Sequence, residues 1–164
     1  PTGLGIPANT FTGFLMISAV VFGIFISLSG IYADKIGRRR FLIWVSAAML
    51  VFGLAMPWFL TNGTPMSVFA FLIIGMILMG LTFGPMAALL PELFPTEVRY
   101  SGASLAYNFS AIIGASLATL VAIEFNEHYG ILGVGIYLAV NCALTLAALI
   151  STHETKDVDL TNTK

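Results

Sequence analysis

Residues 11–33 read FTGFLMISAVVFGIFISLSGIYA, residues 34–40 read DKIGRRR, and residues 41–60 read FLIWVSAAMLVFGLAMPWFL. Two uncharged apolar runs flank a short stretch crowded with charge. Each run suffices for a helix across about 30 Å of hydrocarbon, which takes roughly 20 residues. Neither alternates polar and apolar positions as a membrane strand does over about ten residues. A helix also satisfies its own backbone N–H and C=O groups, which lipid cannot do. The stretch therefore reads as helix, charged turn, helix.

The same pattern extends along the chain. Three further runs, 67–90, 102–123 and 130–151, are long and apolar enough to span. The reading is an all-α membrane protein with five helices in residues 1–152 and a polar tail at 153–164. The bulk composition agrees, with 58% hydrophobic and 9% charged residues and a mean hydropathy of +0.95. A soluble domain carries about 25% charged residues to keep its surface hydrated. Residues 1–33, 41–91 and 100–123 contain no Asp, Glu, Lys or Arg. Lipid selects such runs, because a charge at the bilayer centre costs roughly 2.5–3.5 kcal/mol on insertion scales. Short polar segments connect the helices: Thr61-Asn-Gly-Thr-Pro65 as a turn and Glu124-Phe-Asn-Glu-His-Tyr129 as a loop between helices four and five. Cys142 is the single cysteine, so no internal disulfide forms, and the net charge of −1 gives no sign of nucleic-acid binding.

Lys and Arg set the expected orientation. Lys35, Arg38, Arg39 and Arg40 lie between helices one and two, Arg99 between three and four, and Lys156 and Lys164 in the tail. All seven fall on one side of the zigzag, while the other side has Glu124 and Glu127. The basic loops and the C-terminus are therefore expected in the cytoplasm. An outside start and an odd helix count imply at least one helix upstream. The opening Pro1-Thr2-Gly3, without a basic n-region, reads as the start of a fragment rather than a signal peptide.

Two motifs fall on the basic side. Gly30-Ile-Tyr-Ala-Asp34-Lys35-Ile-Gly37-Arg38-Arg39-Arg40 places Asp34 at a helix C-terminus, where the dipole disfavours a carboxylate unless cations offset it. Gly37 suits a tight turn with positive φ. Pro91-Glu92-Leu-Phe-Pro95-Thr-Glu97-Val-Arg99-Tyr-Ser-Gly102 ends helix three, with Pro95 opposing a continuous helix. Glu92 and Arg99 can meet Asp34 and the arginines of the first motif. Such a charge network in a half-desolvated interface suits a bistable latch.

Together the motifs resemble those of the major facilitator superfamily. The first is similar to the loop between that family's eighth and ninth helices, the second to the stretch between its tenth and eleventh. The wording around Tyr100-Ser101-Gly102-Ala103-Ser104-Leu105 is closer to bacterial metabolite–proton symporters than to sugar porters. The resemblance covers nearly the whole chain. It implies a C-terminal half, incomplete, made of helices eight to twelve of a twelve-helix fold that works by alternating access. It further implies a bacterial inner (plasma) membrane location, and a conformational gate of Asp34, Gly37, Arg38, Arg39, Glu92 and Arg99.

The implied partners are the lipid bilayer, a small-molecule substrate, protons and the missing N-terminal helices of the same protein. No charged residue falls deep inside a helix, so proton-relay carboxylates are expected in those missing helices. Tyr107, Asn108 and Asn141 are the candidate substrate-lining residues, with an interhelical hydrogen bond as the competing role for each Asn. Gly80-x-x-x-Gly84 with Pro85 reads as close packing or a bend. No nucleophile–base pair or metal-ligand cluster stands out, so neither an enzyme nor a cofactor or metal site is expected. The leading function is proton-coupled symport of a small polar metabolite, an organic acid or a zwitterionic osmolyte. The alternatives are a sugar porter, or a truncated remnant that only packs with other membrane proteins.

Overall fold

Uninterrupted apolar sequence produces long helices here, and each ends where a breaker or a charge cluster stands. The computed structural model describes residues 6–61 and 64–151. Helix α1 spans Ala8–Ile36, α2 Arg38–Thr61, α3 Pro65–Glu92 and α4 Arg99–Ser151. All four are long and apolar enough to cross a membrane. Gly37 ends α1 with φ 108°, a conformation that favours a residue without Cβ. Its N–H still donates to the Ala33 carbonyl at 2.9 Å, so only one residue separates α1 from α2. Thr64 caps α3, its side chain accepting from the Ser67 N–H at 3.2 Å, with Pro65 at the first helical position. The remainder of the Thr61–Pro65 turn, residues 62 and 63, lies outside the described residues, as does the tail from 152.

The expected loop at Glu124–Tyr129 is helical instead. That segment is polar but contains neither Gly nor Pro, so nothing in its backbone stops the helix begun at Arg99. The break comes at Gly130, with φ 63° and ψ −162°. There the chain reverses. The rings of Phe125 and Tyr137 have centroids 6.0 Å apart, whereas twelve residues of straight helix would separate them by about 18 Å. Thus α4 has two limbs, residues 99–129 and 131–151, giving five rods from four continuous helices.

Small residues decide the packing. Helices α1 and α3 lie parallel, with Phe14 against Phe69 at 4.7 Å between centroids and Phe22 against Phe83 at 5.9 Å. A Cβ on Gly80 would stand 2.9 Å from the Phe22 carbonyl oxygen, and one on Gly84 2.6 Å from that of Ile26. The Gly80-x-x-x-Gly84 pair therefore brings two backbones together, as small residues do in lipid. Buried Ser29 lies along this seam and donates to the Ile26 and Gly80 carbonyls at 2.8 and 3.2 Å. A second seam joins α2 to the second limb of α4, where a Cβ on Gly135 would stand 2.6 Å from the Gly53 carbonyl oxygen. Leu42, Leu89 and Leu149 cluster at one end of the bundle, and Leu60, Val68 and Ile131 at the other. The end bearing Leu149 also carries both motifs.

Candidate functional site: a charge latch at one end of the bundle

Asp34 closes α1, Arg38 opens α2 and Glu92 closes α3, so three helix termini bring three charges to one spot. The Arg38 guanidinium bridges the two acids. Its Nε and Nη2 each lie 3.0 Å from Asp34 Oδ1, and its Nη1 donates to Glu92 Oε1. The two contacts differ in setting. The Asp34 side chain is 61% exposed and that of Glu92 17%, so the long-range pair is the more desolvated and the stronger per contact. Burial alone would lower the Arg38 pKa. The hydrogen bonds and charges of Glu92 and Asp34 more than offset this, and the guanidinium ends above its ordinary value.

Arg39 turns the other way. Its Nε donates to the Leu149 carbonyl and its Nη2 to the Ile150 carbonyl, both at 2.7 Å. A cation on backbone carbonyls toward the C-terminal end of a helix meets the negative end of its dipole. Sequence reasoning missed this role, because 110 residues separate Arg39 from Leu149 and neither end carries a pairing signal.

Arg99 does not reach Arg38 or Glu92. Its Nε donates to the Phe94 carbonyl at 3.3 Å, within the turn between α3 and α4. In the same turn Leu93 N–H donates to the Leu90 carbonyl and Phe94 N–H to that of Pro91, at 3.3 and 3.2 Å. Val98 N–H donates to the Pro95 carbonyl at 3.1 Å.

Of the lining candidates, Tyr107 and Asn108 border a cleft of about 1100 Å³ between α3 and the first limb of α4, with Met79, Phe83 and Ser104 also on its walls. Asn141 is not among the residues of that cleft. Among the described residues neither Asn makes an interhelical bond. Asn108 Nδ2 donates to the Ser104 carbonyl of its own helix and Asn141 Nδ2 to that of Tyr137, both at 2.8 Å. At the opposite end, Glu124 and His128 lie one helical turn apart with 3.3 Å between carboxylate and Nδ1, both largely exposed. Among the described residues no three His, Cys, Asp or Glu side chains gather into a cage for a metal.

Residues 3–164 match the family model described as sugar (and other) transporter. The chain belongs to this family, within the major facilitator superfamily. Among its relatives is a Haemophilus influenzae protein named for metabolite transport, 70% identical over 97% of the chain and 36% of the relative. The inner membrane metabolite transport protein YhjE of Escherichia coli K12 is 48% identical over 98% of the chain and 37% of its own length. The proline/betaine transporter of Salmonella typhimurium is 35% identical over 87% and 29% respectively. The chain thus spans about a third of the length of these relatives. No solved structure matches it. Family membership places the helices in a membrane and the chain among transport proteins rather than enzymes.

Proposed function

We propose that this chain is the C-terminal part of a secondary active transporter, working with N-terminal helices of the same polypeptide by alternating access. In this reading it imports a small polar metabolite together with protons across a bacterial inner membrane, with the basic end of the bundle in the cytoplasm. Asp34, Arg38 and Glu92 form the cytoplasmic latch, Gly37 gives their turn its shape, and Arg39 and Arg99 hold the surrounding elements. The observation that carries this reading is the single guanidinium of Arg38 joining the ends of α1 and α3 across 54 residues of sequence. Breaking such a half-buried pair leaves a charge unmatched and costs about 1.5–3 kcal/mol. That is enough to shift a two-state gate by roughly tenfold or more.

The substrate class rests on the relatives named for metabolite and proline/betaine transport, which favour a zwitterionic osmolyte or an organic acid. The family description keeps a sugar as the second reading. Uptake by the full-length protein tests both. Asp34→Asn, Arg38→Ala and Glu92→Gln are expected to cut uptake about tenfold, the value set by the pair energy above, with normal insertion. Wild-type uptake in all three would end the latch assignment. Competition by betaine or proline but not by hexoses supports the osmolyte reading, and the converse supports a sugar porter. Persistence of accumulation after a protonophore would refute proton coupling. A thiol placed at Arg40 that reacts only with reagent from outside the cell would reverse the orientation.

A further inference from the structure

In the turn between α3 and α4 one ring packs on one glycine. A Cβ on Gly102 would stand 2.5 Å from Phe94 Cδ1, 2.8 Å from Cε1 and 3.0 Å from Cγ. The Phe94 ring therefore lies flat against the Gly102 backbone, in space that any larger residue would fill. Two more contacts close the same loop: Arg99 Nε to the Phe94 carbonyl at 3.3 Å, and Gly102 N–H to the Val98 carbonyl at 2.7 Å. Phe94 stands two residues after Glu92, and its N–H is tied to the Pro91 carbonyl at 3.2 Å, so the position of its ring fixes the final turn of α3. That turn presents Glu92 to Arg38.

We infer that Phe94 and Gly102 form a clamp that positions Glu92, coupling the first limb of α4 to the latch. The inference rests on the latch reading proposed above. Movement of α4 relative to α3 shifts Gly102 under the ring, and the ring carries the Glu92 turn with it. Gly102 is required at the crossing because the ring occupies the volume of its missing side chain. Arg99 acts as the second strut, holding the Phe94 carbonyl from the α4 side, and this accounts for a half-buried arginine that forms no ion pair with Glu92.

The test uses the full-length transporter with Cys142→Ser as background and a reporter thiol, Ser104→Cys, in the cleft beside the clamp. Labelling from the cytoplasmic face reads opening of the latch, and uptake is measured in parallel. Gly102→Ala and Phe94→Ala are each expected to speed labelling at least threefold. The double variant should match Phe94→Ala alone, because without the ring the added methyl group meets nothing. In a Glu92→Gln background, Gly102→Ala should add no further change, which general damage to the loop would not reproduce. Wild-type labelling in Gly102→Ala, multiplicative effects in the double variant, or a further increase on top of Glu92→Gln would each overturn the clamp. If Glu92→Gln itself leaves labelling and uptake unchanged, the latch reading fails and the clamp with it. If Glu92→Gln opens the latch while Gly102→Ala does not, the clamp alone fails. Should Gly102→Ala not insert, Phe94→Ala in the two Glu92 backgrounds decides the matter.

Discussion

Arg38 has three nitrogens engaged on two carboxylates from different helices. A planar guanidinium can do this because its donors fan out in a fixed fork, whereas a lysine is a single point charge on a flexible stem. Arg38→Lys therefore keeps the charge and loses the bridge. Uptake by the full-length protein should fall by about tenfold, close to the effect of Arg38→Ala, because the lost geometry costs about as much as the lost charge for a bidentate site. Near-normal uptake in Arg38→Lys would mean that charge alone suffices. The pH dependence has a definite sign. The partners raise the Arg38 pKa, so its contribution is fully present below the ordinary guanidinium range and fades only when pH rises through the raised value. Labelling of the Ser104→Cys reporter, corrected for ionisation of the thiol itself, should thus show no opening through loss of the Arg38 proton between about pH 7 and 10.

At the scale of elements, some helix ends are tied to partners distant in sequence. Arg39 links the start of α2 to the Leu149 and Ile150 carbonyls of α4 through two bonds of 2.7 Å. A charged donor on a backbone carbonyl contributes roughly 1.5 kcal/mol or more, or about tenfold in a local opening equilibrium. Arg39→Ala should therefore accelerate amide exchange in the last turn of α4 about tenfold while leaving the seam at Gly53 and Gly135 protected. Equal acceleration along the whole limb would show that the variant loosens the bundle instead. The elements themselves were largely legible, because charge-free runs longer than 20 residues leave helices as the economical solution in lipid. The meeting of Glu92 with Arg38 was legible too, since both motifs fall on one side of the zigzag. The helical course of 124–129 was not, because its polarity suggests a loop although the segment itself contains neither Gly nor Pro. The clamp at Phe94 and Gly102 was invisible for another reason. A glycine under a ring leaves no pattern in one dimension, and only the folded turn shows what fills the space. The α2–α4 seam had a readable trace, Gly135-x-x-x-Ala139, which gains meaning once Gly53 is found against it.

Across the whole molecule, the tight seams and the open cleft divide the labour. Parallel α1 and α3 are locked by Gly80 and Gly84, and α2 is locked to the second limb of α4 by Gly53 and Gly135. The first limb of α4 instead borders the cleft of about 1100 Å³ on its α3 side. From Arg99 to Gly114, both on the wall of the cleft, the helix rises about 22 Å, so the cleft runs from the α3–α4 turn well into the apolar span. Tyr107 and Asn108 line it farther along α4, and Arg99 is the charged residue on its wall among those described. A group that binds substrate equally in every state changes KM, and a group that governs the rate of the conformational cycle changes the maximal rate. Tyr107→Phe and Asn108→Ala in the full-length protein are therefore expected to raise the KM for uptake several-fold with a modest effect on the maximal rate. Asp34→Asn should do the reverse, and Asn141→Ala, outside the cleft and bonded to its own helix, should change neither. Kinetics of labelled-substrate uptake separate these cases. If Asn141→Ala raises KM and the two cleft variants do not, substrate passes on the other side of α4, and the cleft is a packing surface rather than a path.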